Sequence, residues 1–303
     1  MNNKVVIIGC GNVGMAYAYA LINQNTYVNK LVLIDINKDR VEGEVMDLNH
    51  CLPYAPNKIS ISNGEYSDCS DACIVVIAAG VNQKPGETRT DLIHKNASIF
   101  KDIVGQVMKS GFNGIFVVAT NPLDVMTYLT YKYSGLPSNR VIGTGTILDT
   151  ARLRLMIGKK LCINSKDINA YVIGEHGDSE FIPWSNASIS LQNIKEFFNE
   201  EELNDIEDDV REAAYEIINK KGATCYGIGM SLVKITNSIL GNENNVLSLS
   251  IYDEKNDVYV GLPAVLNKEG ISKRVYLKLT DEEETKLQNS INVIKNNINS
   301  VDL

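Results

Sequence analysis

The residues best suited to chemistry in this 303-residue chain lie in a few short polar segments. The first is Gly9-Cys10-Gly11-Asn12-Val13-Gly14, a GxGxxG run between an apolar stretch (4–9) and a helical pattern (12–25). In that context the first glycine permits a tight turn, the second lets the backbone approach a pyrophosphate, and the third lets helix and strand pack closely. The amides of Asn12 and Val13 then open a helix whose free N–H groups and positive dipole end suit phosphate. Asp35 stands 21 residues beyond Gly14, at the end of a second apolar run. A carboxylate there accepts hydrogen bonds from two ribose hydroxyls and repels a 2′-phosphate, which favours NAD over NADP. Three further segments carry groups that could move a proton or bind an anion. They are 83–89 (QKPGETR), 148–154 (LDTARLR) and 174–178 (GEHGD). Histidine titrates near neutrality, and a planar guanidinium can pair both oxygens of a carboxylate.

The elements that must hold these groups follow from the apolar pattern. Strands are expected at 4–9, 30–36, 59–62, 72–80 and 114–120, and helices at 12–25, around 40–50 and at 91–109. Short apolar runs separated by helices mean βαβ units and a parallel sheet covered on both faces, a doubly wound Rossmann fold. Beyond residues 143–146 the pattern changes. A short strand is expected at 171–173 and helices at 199–221 and 223–240. A hairpin should span 246–253 and 258–266, with a further strand at 274–279. Thr280 and Glu283 form a capping box for a last helix striped by Leu287, Ile291, Ile294 and Ile298. The expected architecture is α/β: a Rossmann domain over 1–143, then an α+β substrate-binding domain over 144–303.

Bulk properties narrow the partners. A net charge of −8, from 37 acidic and 29 basic residues, leaves no basic face for nucleic acid and no polybasic handle for a membrane surface. The longest apolar run, 73–81, is far short of the ~20 residues that span a bilayer. The apolar run near the N-terminus is too short for a secretion signal, so a cytoplasmic protein is expected. The six cysteines form no CxxC pair, and His50, His94 and His176 are dispersed. Reduced thiols and no metal are therefore expected.

With Thr120-Asn121-Pro122, the three polar segments closely resemble the NAD-dependent L-lactate dehydrogenases of the lactate/malate dehydrogenase family, from Lys4 to the last helix. The resemblance implies reversible hydride transfer between NADH and a 2-keto acid. It makes His176 the proton donor and acceptor, oriented by Asp149. Arg152 becomes the anchor of the substrate carboxylate, and Arg89 the group that polarises the carbonyl from a closing loop. Asn121 would hydrogen-bond near the histidine and the substrate oxygen, and would also belong to the cofactor site. Thr224 would line the substrate pocket, and Ile228, one helical turn on, would press against the nicotinamide.

Gln83 bears on the substrate. Malate dehydrogenases typically place an arginine there to meet the second carboxylate of oxaloacetate, and a neutral glutamine favours pyruvate and L-lactate. A larger 2-keto acid, as used by L-2-hydroxyisocaproate dehydrogenases, is the alternative. Malate dehydrogenase and a catalytically silent NAD-binding protein are less favoured readings. The resemblance also implies a homotetramer. The chain starts almost at its first strand, so the N-terminal arm of vertebrate relatives is not expected, and a dimer remains open. Arg154 matches an arginine that binds fructose 1,6-bisphosphate between subunits in many bacterial members. The matching histidine place is Asn169, which cannot carry positive charge, so weak or absent activation is expected.

Overall fold

A computed structural model describes residues 3–81 and 89–301. The first half runs β1 (Lys4–Ile8), α1 (Asn12–Asn23), β2 (Lys30–Ile34), α2 (Lys38–Cys51), β3 (Ser60–Asn63), β4 (Ile74–Ile77), α3 (Arg89–Lys109), β5 (Ile115–Val118), α4 (Leu123–Ser134) and β6 (Val141–Gly143). The second half runs α5 (Ile147–Leu161), β7 (Ile168–Asn169), β8 (Ser188–Ile189), β9 (Gln192–Asn193), α6 (Glu200–Lys221), α7 (Tyr226–Leu240), β10 (Asn245–Asp253), β11 (Val258–Asn267), β12 (Gly270–Arg274) and α8 (Asp281–Asn299).

β1 to β6 pair in parallel in the order β3-β2-β1-β4-β5-β6, the doubly wound order expected of a Rossmann half. β1, β4 and β5 are buried along their whole length. This is why they read as unbroken apolar runs rather than as alternation. The antiparallel strands β10, β11 and β12 do not form a sheet of their own. β10 joins β6 through Ser250 opposite Gly143, giving one nine-stranded sheet. A second apolar core gathers Leu153 and Ile157 of α5, Leu203, Ile206 and Val210 of α6, and the 168–198 segment.

Two expected strands differ in the structure. At 171–173 a single bridge joins Ile173 to Phe181. Side chains take the backbone groups that a ladder would use: the Thr146 and Ser248 hydroxyls donate to the Val172 carbonyl, and the Val172 N–H donates to Thr150 Oγ1. At 274–279 the strand lies earlier, over β12, and ends at Arg274. Past it Val275 N–H still donates to the Pro263 carbonyl, but apolar alternation without a continuing ladder makes no strand. α7 starts at Tyr226 rather than at residue 223, because Gly222 (φ +87°) closes α6 in the left-handed region. Helix α4 was not evident from the pattern because Leu123 to Thr130 are all buried. A helix enclosed on every side shows no 3.6-residue stripe.

Candidate active site

The glycine turn has a geometry that could cradle a phosphate. Gly9 has φ +104°, and a Cβ there would strike the backbone of Ala78 and Ala79 at the end of β4. A Cβ on Gly14 would strike the Gly9 carbonyl, whereas one on Gly11 would meet open space. The face that must admit a ligand is thus the open one. α1 begins at exposed Asn12 with no side-chain cap and no acid in its first turn, so its amides are free for an anion. Asp35 accepts from the Cys10 N–H at 2.8 Å and from the Asn37 N–H at 3.0 Å. It thereby ties β2 to the turn. It also lines a cleft of about 280 Å³ with Lys38, Val41, Asn63, Gly64, Glu65 and Asp68. Three carboxylates against one ammonium oppose a 2′-phosphate there.

The second cluster is set by α5. Asp149 and Arg152 lie on one face at i and i+3, with Arg152 Nη1 2.7 Å from Asp149 Oδ1. Asp149 also sits in the first helical turn, where the dipole favours a negative charge. Across from it, His176 Nδ1 is 2.8 Å from Asp149 Oδ2. The histidine turn is held on several sides. Gly174 exchanges backbone hydrogen bonds with Gly261 of β11. Asp124 of α4 accepts from the His176 N–H at 2.8 Å and from Ser250 Oγ at 2.5 Å. The Ser290 hydroxyl of α8 donates to the Ser179 carbonyl.

Electrostatics divides these groups. Burial alone would lower the His176 ring, but the Asp149 charge and hydrogen bond, with Glu180 and Asp124, lift it to about 9. Burial would raise Asp149, yet the His176 and Arg152 cations hold it below the usual carboxylate range. Burial pushes Asp124 up to about 6, against the Ser250 and His176 hydrogen bonds. The result is an imidazolium facing a permanent carboxylate, a proton donor oriented through its other nitrogen. Asp149, His176 and Glu180 stand close enough to suggest a cation site. However, Asp149 already takes both the ring and the guanidinium, so acid–base chemistry fits the group better.

The structure brings together Asp149, Arg152 and His176. Ile228 of α7 is half-buried between two close approaches. A Cβ on neighbouring Gly227 would strike Leu148 of α5, and one on Gly229 would strike Ala16 of α1. α7 thus bridges the helix of the phosphate turn and the helix of Asp149. Thr224 precedes α7 instead of lying one turn before Ile228 in the same helix. Asn121 is exposed after β5, and its carbonyl accepts from Asn96 Nδ2 at 2.9 Å. Arg154 points away from Arg152. Its Nε donates to the Ala170 carbonyl at 3.0 Å and its guanidinium lies 5.0 Å from the Tyr171 ring centre. Asn169, adjoining Ala170, is exposed. Gln83 and the rest of 82–88 lie outside the described residues, as does the side chain of Arg89, whose backbone starts α3.

Three residues were missed from sequence. Asn96, buried on α3, ties Val81 after β4 to the Asn121 turn. Asp124 and Glu180 crowd His176. Asp124, a lone acid among Leu123, Val125 and Met126, carried a signal of its own; Asn96 lies in a helix rich in polar residues and carried none, and Glu180 offered none beyond its place four residues after the histidine.

A dinucleotide cradle on one half and an ion-paired histidine on the other define a nucleotide-dependent enzyme with an acid–base centre. Comparison with known proteins narrows this class. Residues 3–143 match the family model described as lactate/malate dehydrogenase, NAD binding domain, and residues 146–302 match its alpha/beta C-terminal domain. The chain is 50% identical to L-lactate dehydrogenase 2 and to L-lactate dehydrogenase 1 of Bacillus cereus, with 97% of this chain and 96% of each relative covered. A lactate dehydrogenase from a Medee basin deep-sea metagenome library superposes with TM-score 0.96 at 52% identity, covering 99% of both chains. The minor L-lactate dehydrogenase of Enterococcus mundtii, in its ligands-bound form, superposes with TM-score 0.97 at 44% identity, covering 100% of this chain and 99% of that one. The chain belongs to the lactate/malate dehydrogenase family, and its N-terminal half is that family's NAD-binding domain. Among the described residues no helix is long and apolar enough to cross a membrane.

Proposed function

We propose that this chain is an NAD-dependent L-lactate dehydrogenase that interconverts pyruvate and L-lactate. The observation that carries the reading is the ion-paired Asp149–His176 couple, with Arg152 on the same helix face. The turn from Gly9 to Gly14 and Asp35 would hold NADH, which would supply the hydride. His176 gives the carbonyl oxygen its Nε2 proton while Nδ1–H stays on Asp149. Arg152 uses one amino group on Asp149 and offers the remainder of its fork to the substrate carboxylate. Arg89 would stabilise the developing oxyanion. Thr224, Asn121 and Ile228 would shape the pocket around substrate and nicotinamide. The direct test is the fall in NADH absorbance on a panel of 2-keto acids. Pyruvate is expected to be used best. A best rate on 2-ketoisocaproate or oxaloacetate would reject the assignment, and no oxidation with any of them would reject the activity.

Gln83 is proposed to set the preference for a monocarboxylate. Gln83→Arg should raise kcat/KM for oxaloacetate relative to pyruvate by roughly 30- to 150-fold, since a charged hydrogen bond to the second carboxylate contributes ~2–3 kcal/mol. An unchanged ratio would place Gln83 away from the substrate.

A homotetramer is the assembly we favour. Exposed Tyr19 on α1, Met46 on α2, and Tyr226 and Met230 on α7 are apolar surfaces that contact between subunits would cover. Activation by fructose 1,6-bisphosphate should be weak or absent. The Arg154 guanidinium is seated on Ala170 and Tyr171, and Asn169 brings no charge. Saturating bisphosphate should change pyruvate half-saturation by less than about twofold, against the ~5- to 150-fold range of typical allosteric coupling.

A further inference from the structure

Apart from Asp149, the carboxyl group nearest the His176 ring is Glu180. Its Oε2 lies 3.9 Å from Nδ1, and its side chain is 7% exposed. The turn enforces this approach. Glu180 N–H donates to the Gly177 carbonyl, and the Ile173–Phe181 bridge closes the segment between them. Among the described residues the Glu180 carboxyl has His176 as its ion-pair partner and receives no hydrogen bond. A carboxylate this deeply buried needs a nearby cation to remain charged. Arg152 faces it from α5 but is paired with Asp149, and Arg211 acts on it from α6 but is paired with Glu207 and Asp208. The remaining charges around the couple are Asp149 on α5, Asp124 on α4 and Glu175 in the same turn.

We propose that Glu180 is a positioning residue for proton transfer: once ionised, its carboxylate is a second counter-charge for the His176 imidazolium, so the ring and the carboxyl hold their protons as a coupled pair. When the pair holds one proton, the ring can be charged beside an ionised Glu180, or neutral beside a protonated one. With Asp149 and Arg152 included, both arrangements are neutral overall, and the ring stays partly charged after the first proton has left. Burial and Asp149 push the Glu180 carboxyl well above the ordinary carboxylate range, against His176 and the two arginines. Its titration therefore falls in the alkaline region where the ring also titrates.

The inference rests on His176 being the acid–base group. Its primary test nonetheless needs no catalysis. The full chain with labelled histidine has three ring signals, and His176→Gln identifies the relevant one. In the wild-type chain, titration of that signal by NMR should spread beyond a single one-proton step. In Glu180→Gln it should become one step, with its midpoint about one pH unit lower. The alkaline limb of kcat/KM for pyruvate reduction should move down equally, a loss of ~10-fold on that limb with about the wild-type value below pH 6. Glu180→Asp should recover part of the shift. A single one-proton step in the wild-type ring would overturn the proposal, even if Glu180→Gln does not fold. An unmoved limb in a folded Glu180→Gln, with kcat and KM altered equally at every pH, would also overturn it. Coupled titration without pyruvate reduction would reject the dehydrogenase reading and leave the pair intact.

Discussion

Asp149→Asn is expected to reduce kcat/KM for pyruvate reduction on the order of 10³–10⁴-fold at neutral pH, because the general-acid contribution and the orientation of the ring are lost together. The carboxylate is 1% exposed and bonds the His176 ring through one oxygen and Arg152 through the other. An amide presents an NH₂ to one of these two donors, so one contact becomes donor against donor. The negative charge that outweighs burial and lifts the ring to about 9 is also removed. A group whose folded pKa is raised by a partner loses its charged form at lower pH when the partner goes. The ring should then give up its proton at lower pH than in the wild type, and the deficit in reduction should shrink as the pH is lowered. Lactate oxidation, which needs the neutral ring, should suffer less. Steady-state profiles in both directions, with NADH affinity from fluorescence, check this. A loss under tenfold, or one equal at every pH in both directions, would remove Asp149 from its role.

Removing the ring itself separates proton transfer from binding. His176→Gln should lower kcat/KM for pyruvate by ~10²–10⁴-fold. The limb attributed to the ring should disappear from the profile, because the group that delivers the proton to the carbonyl oxygen is gone. NADH binding should stay near wild type, because the turn from Gly9 to Gly14 that would hold it joins β1 to α1, and His176 lies in neither element nor in that turn. Competitive inhibition by oxamate, a pyruvate-shaped monocarboxylate, should weaken much less than turnover, since Arg152 keeps its fork. If NADH affinity fell as far as turnover, the effect of His176 would be structural. If the pH limb survived, another group would be the acid.

The parts of the site written in adjacent residues were legible in the sequence. The turn from Gly9 to Gly14 and Asp35 declare themselves through glycine spacing and one acid at a strand end. Arg152 follows Asp149 on a helix face for the same local reason. The expectation at 171–173 failed because hydroxyls of Thr146, Thr150 and Ser248 replaced strand partners. No pattern in the segment itself reveals partners so distant in sequence. β12 shows the same limit: it ends at Arg274 although β11 runs on from Pro263 back to Val258, so a short alternating run shows which residues can pair and not which do.

The sequence by itself determined the order of the first five strands and the three helices among them, the glycine turn, the acid at the end of the second strand, and the residue types available for chemistry. Local periodicity and turn geometry depend on near neighbours, and those are fixed once the chain is written. Only the tertiary structure decided that β10 extends the sheet at β6, that Asp149 meets a histidine 27 residues away, and that Asp124 holds that histidine's backbone from 52 residues before it. It also folded Glu180 back on the ring. These contacts form because burying the sheet and α5 leaves their polar groups no water, and each must find its partner wherever the packed chain places one.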